Sequence, residues 1–270
     1  MLLDLPEQDG ILHSQRSSHR GDLDFCACTW PEAVDMARNG WAEGAETALK
    51  HPDYVDLFAT AEKPTTSWGW SDTEGEVVWD RQLSGADDYL QLPVTAPGFG
   101  KACRVIVSSI ASAGINSEAM LQRAIDIAAG IAQLEQQKVA NELWVTLPYN
   151  DGDFSYTFKV HSTGDTLNLA KVAFFCGHPG FLRRLGFALN ERANERVQRT
   201  MGTCYGYPAG LSQDVLNKLG LPPFEGDTLL VNSLRSNSIT TTRKELSQMF
   251  ATTLSRLQDS TFESSGIILE

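Results

Sequence analysis

The chain lacks most of the features that would tie it to a membrane, a nucleotide or a metal. No run of about 18 or more apolar residues occurs, so no spanning helix is expected. The opening MLLDLPEQDG has no basic segment and soon turns acidic, so no secretory signal is expected. There is no Gly-x-x-x-x-Gly-Lys-Ser/Thr, and Gly98-Phe99-Gly100-Lys101 precedes a strand pattern, the wrong order for a phosphate loop. A Gly-x-Ser-x-Gly elbow and a His-Glu-x-x-His pair are also missing. Cysteine is sparse and odd in number: Cys26, Cys28, Cys103, Cys176 and Cys204 are scattered through the chain. That usage predicts free thiols in a reduced, cytoplasmic setting.

Positive charge is also scarce in one part. Residues 1–100 hold 6 Lys/Arg against 18 Asp/Glu, which accounts for the whole net charge of −12. Residues 101–270 hold 16 against 16, and between Arg183 and Lys244 nine basic residues face five acidic ones. Such asymmetry can mark a local polyanion site on an acidic protein, or ordinary surface variation.

What is present is an α/β pattern. KACRVIVSS predicts a buried strand, EAMLQRAIDIAAGIAQLEQQK a helix, and NELWVTL a second strand. In the helix Met120, Ala124, Ile127, Ile131 and Leu134 recur at steps of four and three, with Asn116 or Ser117 as cap. This strand–helix–strand unit at 102–147 predicts a mixed central sheet with flanking helices; α+β is the alternative. Residues 1–24 are expected to be peripheral or disordered, and residues 25–270 to form one domain. In that domain an acidic helical and hairpin region, 25–100, packs on the core at 101–270. Thr29-Trp30-Pro31-Glu32 predicts a capped helix to Asn39-Gly40, and a second helix spans Ala42 to Lys50. TSWGW and EVVW predict a hairpin over 65–79, and Leu90 to Gly100, with Pro93 and Pro97, a linker. FSYTFKVH predicts a strand with Lys159 and His161 on its polar face. Helices are expected over 166–176, after His178-Pro179, and from the capping box Thr242-Arg243-Lys244-Glu245; TLLVNSL at 228–234 predicts a strand.

The turn Ser108-Ser109-Ile110-Ala111-Ser112-Ala113-Gly114 lies where α/β proteins often bind ligands. It resembles in position the metal-binding turn of von Willebrand A-type domains, where a carboxylate and two hydroxyls hold Mg²⁺. Here the three positions are Ser108, Ile110 and Ser112, so no metal and no other cofactor is expected. Cys26-Ala27-Cys28 with His13 and His19 has the wrong spacing for zinc, and Cys176 beside His178 reads as a core thiol. No nucleophile, base and oxyanion donor occur together, so the reading is non-enzymatic, with a hydrolase or nuclease of unrecognised type as the last alternative.

The candidate working surface lies downstream. Arg183 and Arg184 begin a basic segment, and Arg192, Arg196 and Arg199 follow on one helical face. Tyr205 and Tyr207 sit in a glycine-rich loop, and Lys159 on a strand's polar face. Guanidinium groups grip phosphates and aromatics stack on bases, so these eight residues predict a single-stranded-DNA site. Glu191 and Glu195 offer the competing reading of a solvated, salt-bridged helix face.

The phrases ARNGWAEGAE (37–46), LSGADDYLQLP (83–93), RVIVSSIASAGINSEAMLQRA (104–124), KVAFFCGHPGFLRRLGFALNER (171–192) and CYGYP (204–208) resemble a family of tailed-bacteriophage and prophage proteins. Within it the chain is similar to the single-stranded-DNA-binding RNA polymerase cofactors of podoviruses that carry their own polymerases. The resemblance implies an early phage accessory protein assisting transcription or replication. Its implied partners are single-stranded DNA, a phage-encoded RNA polymerase and further copies of itself, with no membrane. The alternative is a protein-interaction scaffold with a von Willebrand A-like core that lacks its metal.

Overall fold

The computed structural model describes residues 20–51, 67–71, 76–77, 90–94, 101–149, 154–193 and 210–264. Its centre is the expected unit: β4 (Lys101–Ser108), α4 (Ser117–Gln136) and β5 (Val139–Tyr149). Asn116 caps α4 by accepting the Ala119 amide at 2.8 Å, and the five-residue apolar stripe is buried throughout. β4 and β5 pair in parallel, as a crossover helix requires. β6 (Phe154–His161) adds antiparallel to β5, and β7 (Asp227–Val231) adds parallel to β4 on its other side. The mixed four-stranded sheet thus runs β6-β5-β4-β7, an α/β architecture.

One face of this sheet carries the main core. Val105, Val107, Leu143, Val145 and Leu147 meet α4, α5 (Leu169–Gly177) and α8 (Ile239–Ser264) there. The helices approach closely: a Cβ on Gly130 of α4 would lie 2.3 Å from the Phe250 ring of α8. The opposite face is smaller and mixed. Ile106, Trp144 and Leu230 pack under the short helix α7 (Gln213–Lys218) through Val215, with Leu211 and Leu219.

The acidic helical region packs on α5. α2 (Trp30–Asn39) opens with the predicted capping box: the Thr29 amide and hydroxyl donate to Glu32 at 2.7 and 2.8 Å. Those bonds hold the Glu32 carboxyl below its usual range. Gly40 ends α2 at φ 87°, backed against Ala170, and the Trp41 amide donates to the Ala170 carbonyl. α3 (Ala42–Lys50) follows within the predicted bounds.

A helix, α1 (Arg20–Cys26), spans the boundary drawn at residues 24 and 25, and residues 1–19 of the segment expected to be peripheral or disordered lie outside the described residues. Several expectations need correction. The segments β1 (Ser67–Ser71) and β2 (Glu76–Val77) do not pair with each other as a hairpin. Both pair with β3 (Leu90–Val94), which begins the presumed linker. Pro93 is tolerated because β2 reaches only Leu90 and Gln91, leaving Pro93 matched on one side by Trp68. α8 begins three residues before Thr242, with the Ser238 hydroxyl accepting from the Thr241 amide. After His178 the chain forms a π-helical turn, Phe181–Gly186, before α6 (Phe187–Glu191).

Candidate functional site

Of the eight predicted DNA-contacting residues, Arg196, Arg199, Tyr205 and Tyr207 lie outside the described residues. The other four do not form one surface. Arg183 is 5% exposed, and its guanidinium donates to the carbonyls of Phe25 (2.7 Å), Ala113 (3.3 Å) and Ile115 (2.9 Å). Arg184 is fully buried and donates to the Cys28 carbonyl at 3.0 Å. Arg183 clamps the N-terminal helical region onto the turn after β4, and Arg184 ties the same region to the π-helical turn; both guanidinium groups are buried away from solvent, where a phosphate does not reach them. Arg192 is half-buried, donates to the Ala188 carbonyl of its own helix at 3.2 Å, and lies 5.7 Å from the Trp30 ring centre.

Lys159 lies across the sheet from them. Its neighbour Phe158 stacks edge-on against Phe181 on the helix-covered face, so Lys159 projects from the other face. There it pairs with Glu142 at 2.8 Å, and Glu142 also takes the buried Arg104. Burial alone would raise the Glu142 carboxyl, but hydrogen bonds from Lys159 and Arg104 and the Arg104 charge hold it below its usual range. Arg104 stacks 4.4 Å from the Phe224 ring centre. His161, expected beside Lys159 on the polar face, is buried instead and lies 3.1 Å from Glu135. A bulge explains this: β6 advances two residues, Lys159 to His161, while β5 steps back one, Trp144 to Leu143.

The sheet order places a topological switch point between β4 and β7, because one crossover leaves β4 toward β5 and the later one returns to its other side. The Ser108-to-Ser112 turn ends β4 there. Ser108 and Ser233 share a hydroxyl hydrogen bond at 2.8 Å, Ser109 donates to the Phe175 carbonyl at 2.6 Å, and Ile110 is fully buried. The group that joins the two strand ends is a side chain that the sequence reading passed over. Arg123 of α4 is 3% exposed and donates to the Ser108 carbonyl at 3.0 Å and to the Asn232 carbonyl. Its partners among the described residues are carbonyls, with no carboxylate. Burial pushes its pKa down to about 10, which leaves it charged at neutral pH. The corner therefore contains a cation of its own, set on the carbonyl oxygens at the carboxyl ends of β4 and β7. A signal existed: Arg123 falls three residues after Met120 and four before Ile127, on the apolar stripe itself.

The chemistry of the remaining polar groups is quiet. The thiols of Cys28, Cys103 and Cys176 are pushed up to about 12 by burial, and His178 is pushed down to about 4 by burial, accepting the Gly180 amide on Nδ1. At these four positions the thiols stay protonated and the imidazole stays neutral near neutral pH. Among the described residues no group of three or more His, Cys, Asp or Glu converges as a metal site, and no helix is long and apolar enough to cross a membrane. A cleft of about 1240 Å³ opens beside the corner, between α7 and α8. Arg123 lies in its lining.

No curated protein and no solved structure matches the chain. Residues 2–250 match the model of a family described as a domain of unknown function, DUF7192, and the chain belongs to that family.

Proposed function

We propose that this chain is a non-enzymatic protein-interaction scaffold, built on a von Willebrand A-like core whose metal corner is replaced by an internal arginine. The observation that carries this reading is Arg123. The position where α/β proteins usually seat a ligand is closed by a buried guanidinium, with Ser108 tied to Ser233 beside it. A corner so filled has no carboxylate to hold Mg²⁺. Thermal melting in chelator, in millimolar Mg²⁺ or Mn²⁺, and with ATP tests it. The midpoint should be the same in all of them. A rise of several degrees with metal or nucleotide would point to an occupied site and sink the scaffold reading.

A second reading, single-stranded-DNA binding by a phage accessory protein, keeps support from the net positive stretch between Arg183 and Lys244 and from Arg192. That side chain is half-buried at the C-cap of α6; Arg196 and Arg199, which follow it in sequence, lie outside the described residues. A salt titration with labelled oligonucleotide decides it. Binding that weakens steeply with salt and falls when Arg192, Arg196 and Arg199 become Ala supports this reading; no binding at low salt removes it.

A further inference from the structure

The cleft between α7 and α8 has an unusual floor. β7 pairs with β4 on one side, and among the described residues no strand pairs with its other edge. A sheet edge presents a row of backbone N–H and C=O groups, and proteins commonly guard such rows with Lys, Pro or a bulge. β7 reads DTLLV, with neither Lys nor Pro, and its register against β4 is unbroken. The two helices lie on opposite faces of the sheet, α8 against the main core and α7 against Ile106, and both line the cleft beyond β7. Between them lies a slot along the strand edge.

We infer that this slot receives one extended peptide segment of a partner protein, apolar at its centre and acidic at both ends, which adds to the sheet beside β7. This rests on the scaffold reading and names its partner's chemistry. The length fits. From Glu245 to Arg256, α8 runs about 16 Å at about 1.5 Å per residue, matching about five residues of strand. Side chains of an added strand alternate between the two walls, and each wall carries an apolar residue inside the slot, Val215 on α7 and Met249 on α8, with Leu246 at the Glu245 end. The ends are cationic. Arg235 follows the carboxyl end of β7, and Arg256 stands 3.7 Å from Asp227 at its start, an exposed pair that can exchange partners at little cost. Asp214 and Glu245 also line the slot, against Lys218, Arg235 and Arg256; Arg123 lines it too, but its donors are held by the Ser108 and Asn232 carbonyls.

The test uses the full chain and a fluorescent peptide of alternating Val and Thr with a Glu pair at each end. Anisotropy should show saturable binding. Replacing a central residue by Pro, which cannot complete the ladder, should weaken binding tenfold or more, as should Lys at the ends. The double variant Arg235→Glu with Arg256→Glu should lose at least tenfold while melting within a degree or two of the parent, and amide exchange over 227–231 should slow on binding. No saturable binding, or equal binding of the Pro peptide, overturns the inference. Light scattering that shows a dimer, with those amides already protected without peptide, overturns it in favour of a second copy. The scaffold reading is judged separately by the metal and nucleotide melts.

Discussion

The two faces of the four-stranded sheet are built on different principles. The face under α4, α5 and α8 is a continuous apolar core, with Phe174, Ile127 and Leu143 wholly buried. The other face carries Arg104, Glu142 and Lys159 around Trp144, beneath one short helix. The first face is held by packing, whose strength grows with buried area. The second is held by a charge cluster that stabilises only while every member has its partner. A fold assembled this way tolerates change unequally, and the difference can be measured.

Phe174→Ala breaks the apolar face most directly. Phe174 touches Phe175, His178 and Phe181, and truncation should cost about 3–5 kcal/mol in urea unfolding. A loss under about 1 kcal/mol would mean that this face is loosely packed. On the charged face, Arg104→Met leaves Glu142 with Lys159 alone and should cost about 3 kcal/mol, whereas adding Glu142→Leu should return part of that loss. Additive losses in the double variant would contradict the account of a coupled cluster. The pH response sharpens the contrast further. His178 on the apolar face has a folded pKa of about 4, below its unfolded value. The unfolded chain therefore binds the proton first, and stability falls as pH drops from about 6.5 toward 4. The loss between pH 7 and pH 5 should be about 2 kcal/mol. His178→Asn should flatten that slope; an unchanged slope would place its origin elsewhere. Lys159→Ala should have the smallest effect, under about 1 kcal/mol, because its side chain is 40% exposed and the pair is salt-screened.

These contrasts also explain what the sequence made legible. Periodicity exposed the apolar face, because Met120 to Leu134 and the strand runs obey simple spacings. Capping chemistry located α2 to the residue, since Thr29 and Glu32 interact locally. The candidate site was harder to read. Arg183 and Arg184 look like surface charge in a string of letters, and only the chain crossing from Phe25 to Ile115 shows what their donors meet. Lys159 and Arg183 appeared to share a surface, but a strand's alternation places the sheet between them. The pairing of β3 between β1 and β2 depends on a long-range register that no local turn signal encodes. Arg123 was visible as a charge on an apolar stripe, yet its meaning needed two carbonyls, 15 and 109 residues away in sequence.

Equilibrium unfolding of Arg123→Met, beside Arg123→Lys, tests the central claim most directly. Methionine fills similar space but leaves the Ser108 and Asn232 carbonyls without their donor, so the variant should fold and lose about 2–4 kcal/mol. Lysine, which restores a charge and one donor, should recover part of that loss. A methionine variant as stable as the parent would contradict the account, because the corner would then hold without its internal cation.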